Sequence, residues 1–487
     1  MNDKTPNNHQ GEPPAPKEPG FLDRTLNNLK SAWQGIAGSS YDATTASSRP
    51  DLPEGDIDKL KEQMRACLET RGGEVSARAR AAALGHVYLA LDATGRERFL
   101  NILAHNFDVD PDPVDAAVDE LRRAEGDDAR RSAHILLKRS LEAPRIKLLT
   151  QFNALPDGIK FLVDMRAELL ALKTAEPAMA ALEQELKDLL TTWFDVDFLE
   201  LRRITWDTAS AALLEKLIAY EAVHTINGWD DLKNRLDSDR RCFAYFHPRM
   251  PDEPLIFVEV ALVNGLAGNI QDLLEQNAPV IDPNSADTAI FYSISNAQKG
   301  LAGISFGNFL IKRVAVTLGN EFKGLKTFAT LSPIPGFLKW LGHTMGQGDP
   351  NLLSQAERKA LSAAAGRASG AKGILKSLLS DPAWPQDQTV SEALRAPLLK
   401  LAARYLLEEK GLNLRALDPV AHFHLSNGAR MESLNWRADL SPRGVRNSAT
   451  MMINYLYDLN KVEENHEAYT ADGKIKASAA VRNHLKG

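Results

Sequence analysis

Three groups of residues in this chain could do chemistry. The first is Gly300, Gly303 and Gly307 in KGLAGISFGN, between a β-rich stretch, TAIFYSIS, and an apolar stretch with helical spacing, FLIKRVAVTL. Glycines where a strand turns into a helix let the unpaired N–H groups of the helix start approach a diphosphate or a thioester oxygen. Ser305 stands where it could cap that helix. The second is Ser332 in LSPIPGF. A following proline disfavours a helical conformation and cannot continue a central ladder, so the serine is expected extended, at a strand end, with its hydroxyl fixed by a stiff turn. Taken alone, this segment reads first as a serine that caps the turn. The third is the pair His422 and His424 in AHFHLSNGAR. On a strand the two imidazoles would share a face, compatible with metal binding and with acid–base work. No neighbouring ligand completes a metal site, and a core or surface histidine is the ordinary alternative.

Other residues invite a role with a plainer one beside it. Arg443 and Arg446 in SPRGVRN and Lys299 before the glycines suit phosphate oxygens, although surface roles suit each as well. Tyr455 and Tyr457 in MMINYLYDL could bring a hydroxyl to a site, but tyrosines in an apolar helix ordinarily belong to the core, so they stand as supporting candidates. His224 reads as lying near a helix end and His247 as a loop residue.

These residues need elements to position them. Residues 1–55 read as a disordered or weakly ordered segment with one short amphipathic helix, FLDRTLNNLKSAWQGIAGSS. Residues 56–192 repeat apolar positions at helical spacing (Ile57, Leu60, Met64, Leu68; Met179, Leu182, Leu186) and predict a helical bundle serving as scaffold or oligomerisation domain. From 193 to 487 strand signals (RRCFAYFHP, EPLIFVEVALV, TAIFYSIS, LKTFATLS, RMESLNWRA) alternate with helices, which predicts a mixed α/β domain and an α+β chain overall. A helical insertion is expected over about 338–415, ending in PLLKLAARYLLEEKG with Pro397 near the helix start and Gly411 as its stop.

Composition excludes whole classes. A net charge of −6 on 487 residues gives no polycationic surface for nucleic acid. No run of apolar residues is long enough to span a membrane. Two cysteines, Cys67 and Cys242, support neither a disulfide framework nor a thiolate metal site. The polar, Pro-rich start lacks a signal peptide's apolar run, and a cytoplasmic location is expected. The glycine loop is neither a Walker loop nor GxGxxG, which disfavours nucleotide hydrolysis and dinucleotide binding.

The strand, Gly-rich loop and helix resemble the CoA-binding unit of the GNAT acetyltransferase superfamily, while departing from its usual Gln/Arg-x-x-Gly-x-Gly/Ala spacing. Together with TFATLSPIPGF and PVAHFHLSNGARMESLNW, they resemble the malonyl-CoA decarboxylase family from about Asp56 onward. The resemblance implies a helical N-terminal domain, a GNAT-like catalytic domain, a homo-oligomer (dimer or tetramer), and conversion of malonyl-CoA to acetyl-CoA and CO2. It implies no separate cofactor, since CoA is part of the substrate and the thioester carbonyl accepts the electrons as an enolate. It carries the substrate loop onto Ala302, Gly303, Ile304, Ser305, Phe306, Gly307 and Asn308, substrate contact and a catalytic part onto Ser332, and proton donation onto His424. His422 does not correspond to that histidine. Ser305 stands where animal relatives have an acidic residue, so an acid that orients the histidine comes from elsewhere or is absent. An acyl-CoA N-acetyltransferase and a non-catalytic acyl-CoA-binding scaffold are the alternatives; the first needs an amine channel, which nothing in the sequence marks.

Overall fold

The computed structural model describes residues 21–37, 49–69, 73–172, 175–304, 310–349, 352–366, 373–411 and 414–486. The chain divides into two compact units, Met1–Leu189 and Leu190–Gly487. Helices make up the secondary structure described in the first unit, from Phe21–Ala37 to Gly158–Leu172, and the helix Pro177–Trp193 runs across the division. Its core shows why the periodic positions fold as they do: Leu60, Met64 and Cys67 form the buried stripe of helix Glu54–Leu68. Trp33 is buried as well, edge-on to Phe161 at 4.8 Å, with its indole N–H donating to the Pro156 carbonyl at 2.8 Å. The helix Phe21–Ala37, at the place where an amphipathic helix is expected, is thus part of this core; residues 1–20 lie outside the described residues.

The second unit is built on one eight-stranded mixed sheet: β1 (Glu200–Ile204), β2 (Arg240–His247), β3 (Met250–Val263), β4 (Thr288–Asn296), β5 (Thr327–Thr330), β6 (Ser332–Pro333), β7 (Arg430–Asn435) and β8 (Met452–Leu456). The order is β1-β2-β3-β4-β5-β8-β6, with β7 also paired to β8. Antiparallel pairing runs from β1 to β4, and β4 and β5 are parallel, Thr288 opposite Thr327 through Phe291 opposite Thr330. β2 and most of β3 are buried, as near-continuous runs of aromatic and β-branched residues require. Helix Leu310–Glu321 connects β4 to β5, the crossover that a parallel pair demands.

Between β6 and the helix Pro419–Ser426 come four α-helices among the described residues, Phe337–Gln347, Gln355–Ala364, Ile374–Leu379 and Gln388–Leu407. Pro397 sits inside the last of these rather than near its start. The helix begins earlier because Asp387 caps it by accepting from Val390 N–H at 3.0 Å. Two further expectations change. MMINYLYDL contains a strand, β8, whose residues Met452–Tyr455 are all buried, so the two-sided apolar run had no alternation to reveal it. The His-Phe-His segment lies on a helix, Pro419–Ser426, not on a strand. Among the described residues no helix is long and apolar enough to cross a membrane.

Candidate active site

β5 and β6 are separated by the single residue Leu331, and they meet β8 at different places. Ala329 of β5 is opposite Leu456, whereas Ser332 and Pro333 of β6 are opposite Ile453 and Met452. Leu331 itself donates its N–H to the Phe291 carbonyl of β4 at 3.0 Å. A side chain fills the gap this leaves in the ladder. The Asn454 amide donates to the carbonyls of Thr330 at 2.8 Å and Ala267 at 3.1 Å, and its oxygen accepts from Ser433 Oγ and Asn435 Nδ2, each at 2.6 Å. Asn454 is buried with every polar atom satisfied, which a buried amide must be to avoid a desolvation penalty. Thr330 and Ser332, two positions apart on extended chain, therefore present their hydroxyls together, Ser332 Oγ donating to Thr330 Oγ1 at 2.8 Å.

The histidine arrives from the other side. Asp418 caps helix Pro419–Ser426, and Pro419 occupies the first helical position where its missing N–H is harmless. At 3.6 residues per turn, His422 and His424 point roughly 200° apart. Their Nδ1 atoms consequently meet different tyrosines, His422 with Tyr469 Oη and His424 with Tyr457 Oη, both at 2.8 Å. The structure brings His424 to Ser332: Nε2 lies 3.0 Å from Oγ. Tyr455 stacks against the imidazole at 4.4 Å between ring centres and 25° between planes. Tyr455, Tyr457, Thr330, Ser332 and His424 are all buried.

This hydrogen-bond chain sets a proton arrangement. With Ser332 Oγ donating to Thr330 Oγ1, the hydroxyl is free to accept from His424, which favours the tautomer with the hydrogen on Nε2. Nδ1 then accepts from the Tyr457 hydroxyl. Burial, with no carboxylate beside it among the described residues, pushes the His424 pKa down to about 3, so the resting imidazole is neutral. A serine nucleophile with a histidine base needs the reverse polarity, serine donating to a bare Nε2. With the Ser332 hydroxyl directed to Thr330, the arrangement favours Nε2–H as a hydrogen-bond donor towards Ser332.

Tyr455 and Tyr457 thus lie against the histidine, from a strand and the residue following it, and the Tyr455 hydroxyl has no hydrogen-bond partner among the described residues. In the glycine loop, Ala302 and Ile304 donate their N–H groups to the carbonyls of Lys299 and Leu301, closing a 3-10 turn, so these two amides are committed locally. Gly303 has φ +75, the left-handed region that favours glycine. Ser305, Phe306, Gly307 and Asn308 lie outside the described residues. Arg443 is held by the carbonyls of Ala222 and Val223, and Arg446 and Lys299 are exposed. His247 ends β2 instead of lying in a loop, and Trp193 O accepts from its Nε2 at 3.1 Å. Sequence reasoning missed Thr330, Asn454 and Asp418. For Asp418 the signal was there: Asp-Pro before an apolar run is a helix cap followed by its first residue.

Two family models match this chain, one described as Malonyl-CoA decarboxylase C-terminal domain over residues 197–487, the other as Malonyl-CoA decarboxylase N-terminal domain over 107–194. The "Malonyl-CoA decarboxylase, mitochondrial" of Anser anser anser is 37% identical over 418 residues, 82% of this chain and 82% of the relative. Its counterpart from Mus musculus is 38% identical over 410 residues, 80% of this chain and 82% of the relative. Among solved structures, malonyl-CoA decarboxylase from Rhodopseudomonas palustris is similar with a TM-score of 0.80 at 44% identity, covering 88% of this chain and 99% of that one. The same enzyme from Agrobacterium vitis gives 0.78 at 40% identity, with 88% and 99% covered.

Proposed function

The chain belongs to the malonyl-CoA decarboxylase family and is a carboxy-lyase, and from that premise we propose that Ser332 and His424 carry the conversion of malonyl-CoA and a proton into acetyl-CoA and CO2. The observation that supports this reading is the buried contact of 3.0 Å between the Ser332 hydroxyl and Nε2 of the His424 imidazole.

Breaking the bond between C2 and the carboxylate leaves an electron pair that the thioester carbonyl accepts as an enolate. The CO2 departs, and C2 takes a proton from Nε2 of His424. Such general acid catalysis is typically worth about 10²- to 10⁴-fold. Ser332, once its hydroxyl turns from Thr330, holds the departing carboxylate or the thioester oxygen. Thr330 is the parking place for that proton while the site is empty. Backbone N–H groups of the glycine loop are the proposed enolate donors. Ala302 and Ile304 are committed to their turn, so the proposal rests on Gly303 and on Ser305, Phe306, Gly307 and Asn308, the last four outside the described residues. One preorganised donor of this kind typically supplies about 2.7–4 kcal/mol of transition-state stabilisation.

Among the described residues no anion lies against the resting imidazole, which favours a further step. The substrate's carboxylate brings the missing counter-charge, so malonyl-CoA binding raises the His424 pKa and draws in the proton the reaction consumes. Tyr457 suits both states, since a hydroxyl donates to bare Nδ1 and accepts from Nδ1–H.

Both cysteines are buried free thiols, which suits a reducing compartment, and we place the enzyme in the cytoplasm; cell fractionation tests this. Exposed Ile135 and Leu136 on helix Asp127–Ser140 fit a homo-oligomer, dimer or tetramer, which light scattering tests. The function itself is tested by incubating the purified protein with malonyl-CoA, with and without an amine acceptor. Acetyl-CoA and CO2 formed in the absence of acceptor support decarboxylation; acyl transfer to the amine or no turnover contradicts it.

A further inference from the structure

The turn that follows Ser332 and the helix that carries His424 are fastened to one carboxylate. Asp418 is buried, and its Oδ1 accepts from the N–H groups of Val420 and Ala421, each at 3.0 Å, in the first turn of helix Pro419–Ser426. Its Oδ2 accepts from Gly336 N–H at 3.2 Å and from the Tyr405 hydroxyl at 3.3 Å. Gly336 closes the Pro-Ile-Pro-Gly turn that begins directly after Ser332.

Two features say that this is more than a helix cap. A neutral asparagine caps as well as aspartate, whereas burying a carboxylate is costly unless several donors need it. Here burial pushes the Asp418 pKa up while the backbone donors from Ala421, Gly336 and Val420 oppose that shift. The Gly336 contact is also built to close tolerance. Gly336 has φ −87, which any residue adopts, yet a Cβ there would lie 2.1 Å from Tyr405 Oη and 3.3 Å from Asp418 Oδ2. Glycine is needed for space, so that the turn can reach the carboxylate.

Resting on the reading that Ser332 and His424 act on malonyl-CoA, we infer that Asp418 is a positioning residue: one oxygen fixes the start of the His424 helix, the other fixes the turn after Ser332, and together they set the gap between hydroxyl and imidazole. It touches neither reacting group. The covalent path between Ser332 and His424 runs through four intervening helices among the described residues, whereas the path through Asp418 is short and made of hydrogen bonds to backbone. A misplacement of about 1 Å at a reacting centre can cost on the order of a hundredfold in rate.

The test uses the full-length enzyme and three variants. Asp418→Asn keeps an oxygen for the helix cap and puts an amide N–H where Gly336 needs an acceptor. Asp418→Ser caps but does not reach the turn. Tyr405→Phe removes a hydroxyl and leaves the Gly336 bond. The expected result is a fall in kcat of about ten- to a hundredfold for both Asp418 variants, with KM and CoA binding close to wild type and a modestly lowered thermal midpoint from the unsatisfied donors, and near-normal kcat for Tyr405→Phe. Wild-type kcat in Asp418→Asn overturns the inference. So does a joint collapse of kcat, CoA binding and thermal midpoint in both Asp418 variants, since that marks a purely structural residue. Failure of the wild-type enzyme to decarboxylate malonyl-CoA is seen separately; it defeats the functional reading first and this inference with it.

Discussion

Tyr457 holds its hydroxyl 2.8 Å from Nδ1 of His424, while the ring's other nitrogen faces Ser332. A hydroxyl there can donate to a bare Nδ1, which supports the tautomer that the Ser332–Thr330 bond favours, with the hydrogen on Nε2. Tyr457→Phe leaves Nδ1 buried without a donor. An unsatisfied buried polar atom costs about 1–3 kcal/mol, so kcat is expected to fall roughly tenfold to a hundredfold, with CoA affinity unchanged. Nitrogen-15 spectra of the imidazole should show mixed tautomers in the variant and Nε2–H in the wild type. Unaltered kcat and tautomer would show that Tyr457 only packs.

Proton uptake distinguishes the substrate from the product. The groups facing the His424 imidazole are the Ser332 and Tyr457 hydroxyls and the rings of Tyr455 and Phe423. None of them is an anion at neutral pH. Calorimetric titration in buffers of different ionisation enthalpy, repeated from pH ~7 down to pH ~5, should therefore report more proton uptake with a malonyl-CoA analogue that cannot decarboxylate than with acetyl-CoA. Equal uptake for both ligands rules out a role for the carboxylate. The same burial affects stability. The folded pKa, about 3, lies below the ordinary value of about 6.5. Stability is thus fully present above pH ~6.5 and lost as pH falls towards 3. His424→Asn should flatten that acid limb in a thermal-unfolding series.

A second buried group gives the opposite slope. Arg235 donates to Asp231 at 2.8 and 3.2 Å and to Glu259 at 3.0 Å, so two carboxylates share one guanidinium. Burial pushes Glu259 up to about 8, with Glu221 nearby adding to it against the pull of Arg235. A carboxyl raised above its unfolded value stabilises fully below pH ~4.3, and that contribution is lost as pH rises towards 8, by up to about 1.4 kcal/mol per pH unit. Glu259→Gln should remove the decline, so the variant gains on the wild type between pH 6 and pH 9. Parallel unfolding profiles contradict a protonated Glu259.

How much of this was legible in sequence depends on the element. β2, β3, β4, β5 and β7 announced themselves through aromatic and β-branched runs between prolines and polar turns. Ser332 was readable as extended because of the proline after it. β8 was not, because its buried residues show no alternation and include Met, Asn and Leu, which do not favour a strand. The His424 helix was hidden by the His-Phe-His spacing, which invites a period of two, and only the Asp-Pro cap would have corrected it. The meeting of Ser332 with His424 could not be read locally. It depends on β8 lying between β5 and β6, and the two residues are 92 positions apart. Their roles came from resemblance, and their contact came from the fold.

The account stands most directly on turnover by Ser332→Ala and His424→Asn, measured as acetyl-CoA released from malonyl-CoA with CoA binding followed in parallel. Each variant is expected to bind CoA normally and to lose about 10²- to 10⁴-fold in kcat. Near-wild-type turnover by either folded, CoA-binding variant would contradict it.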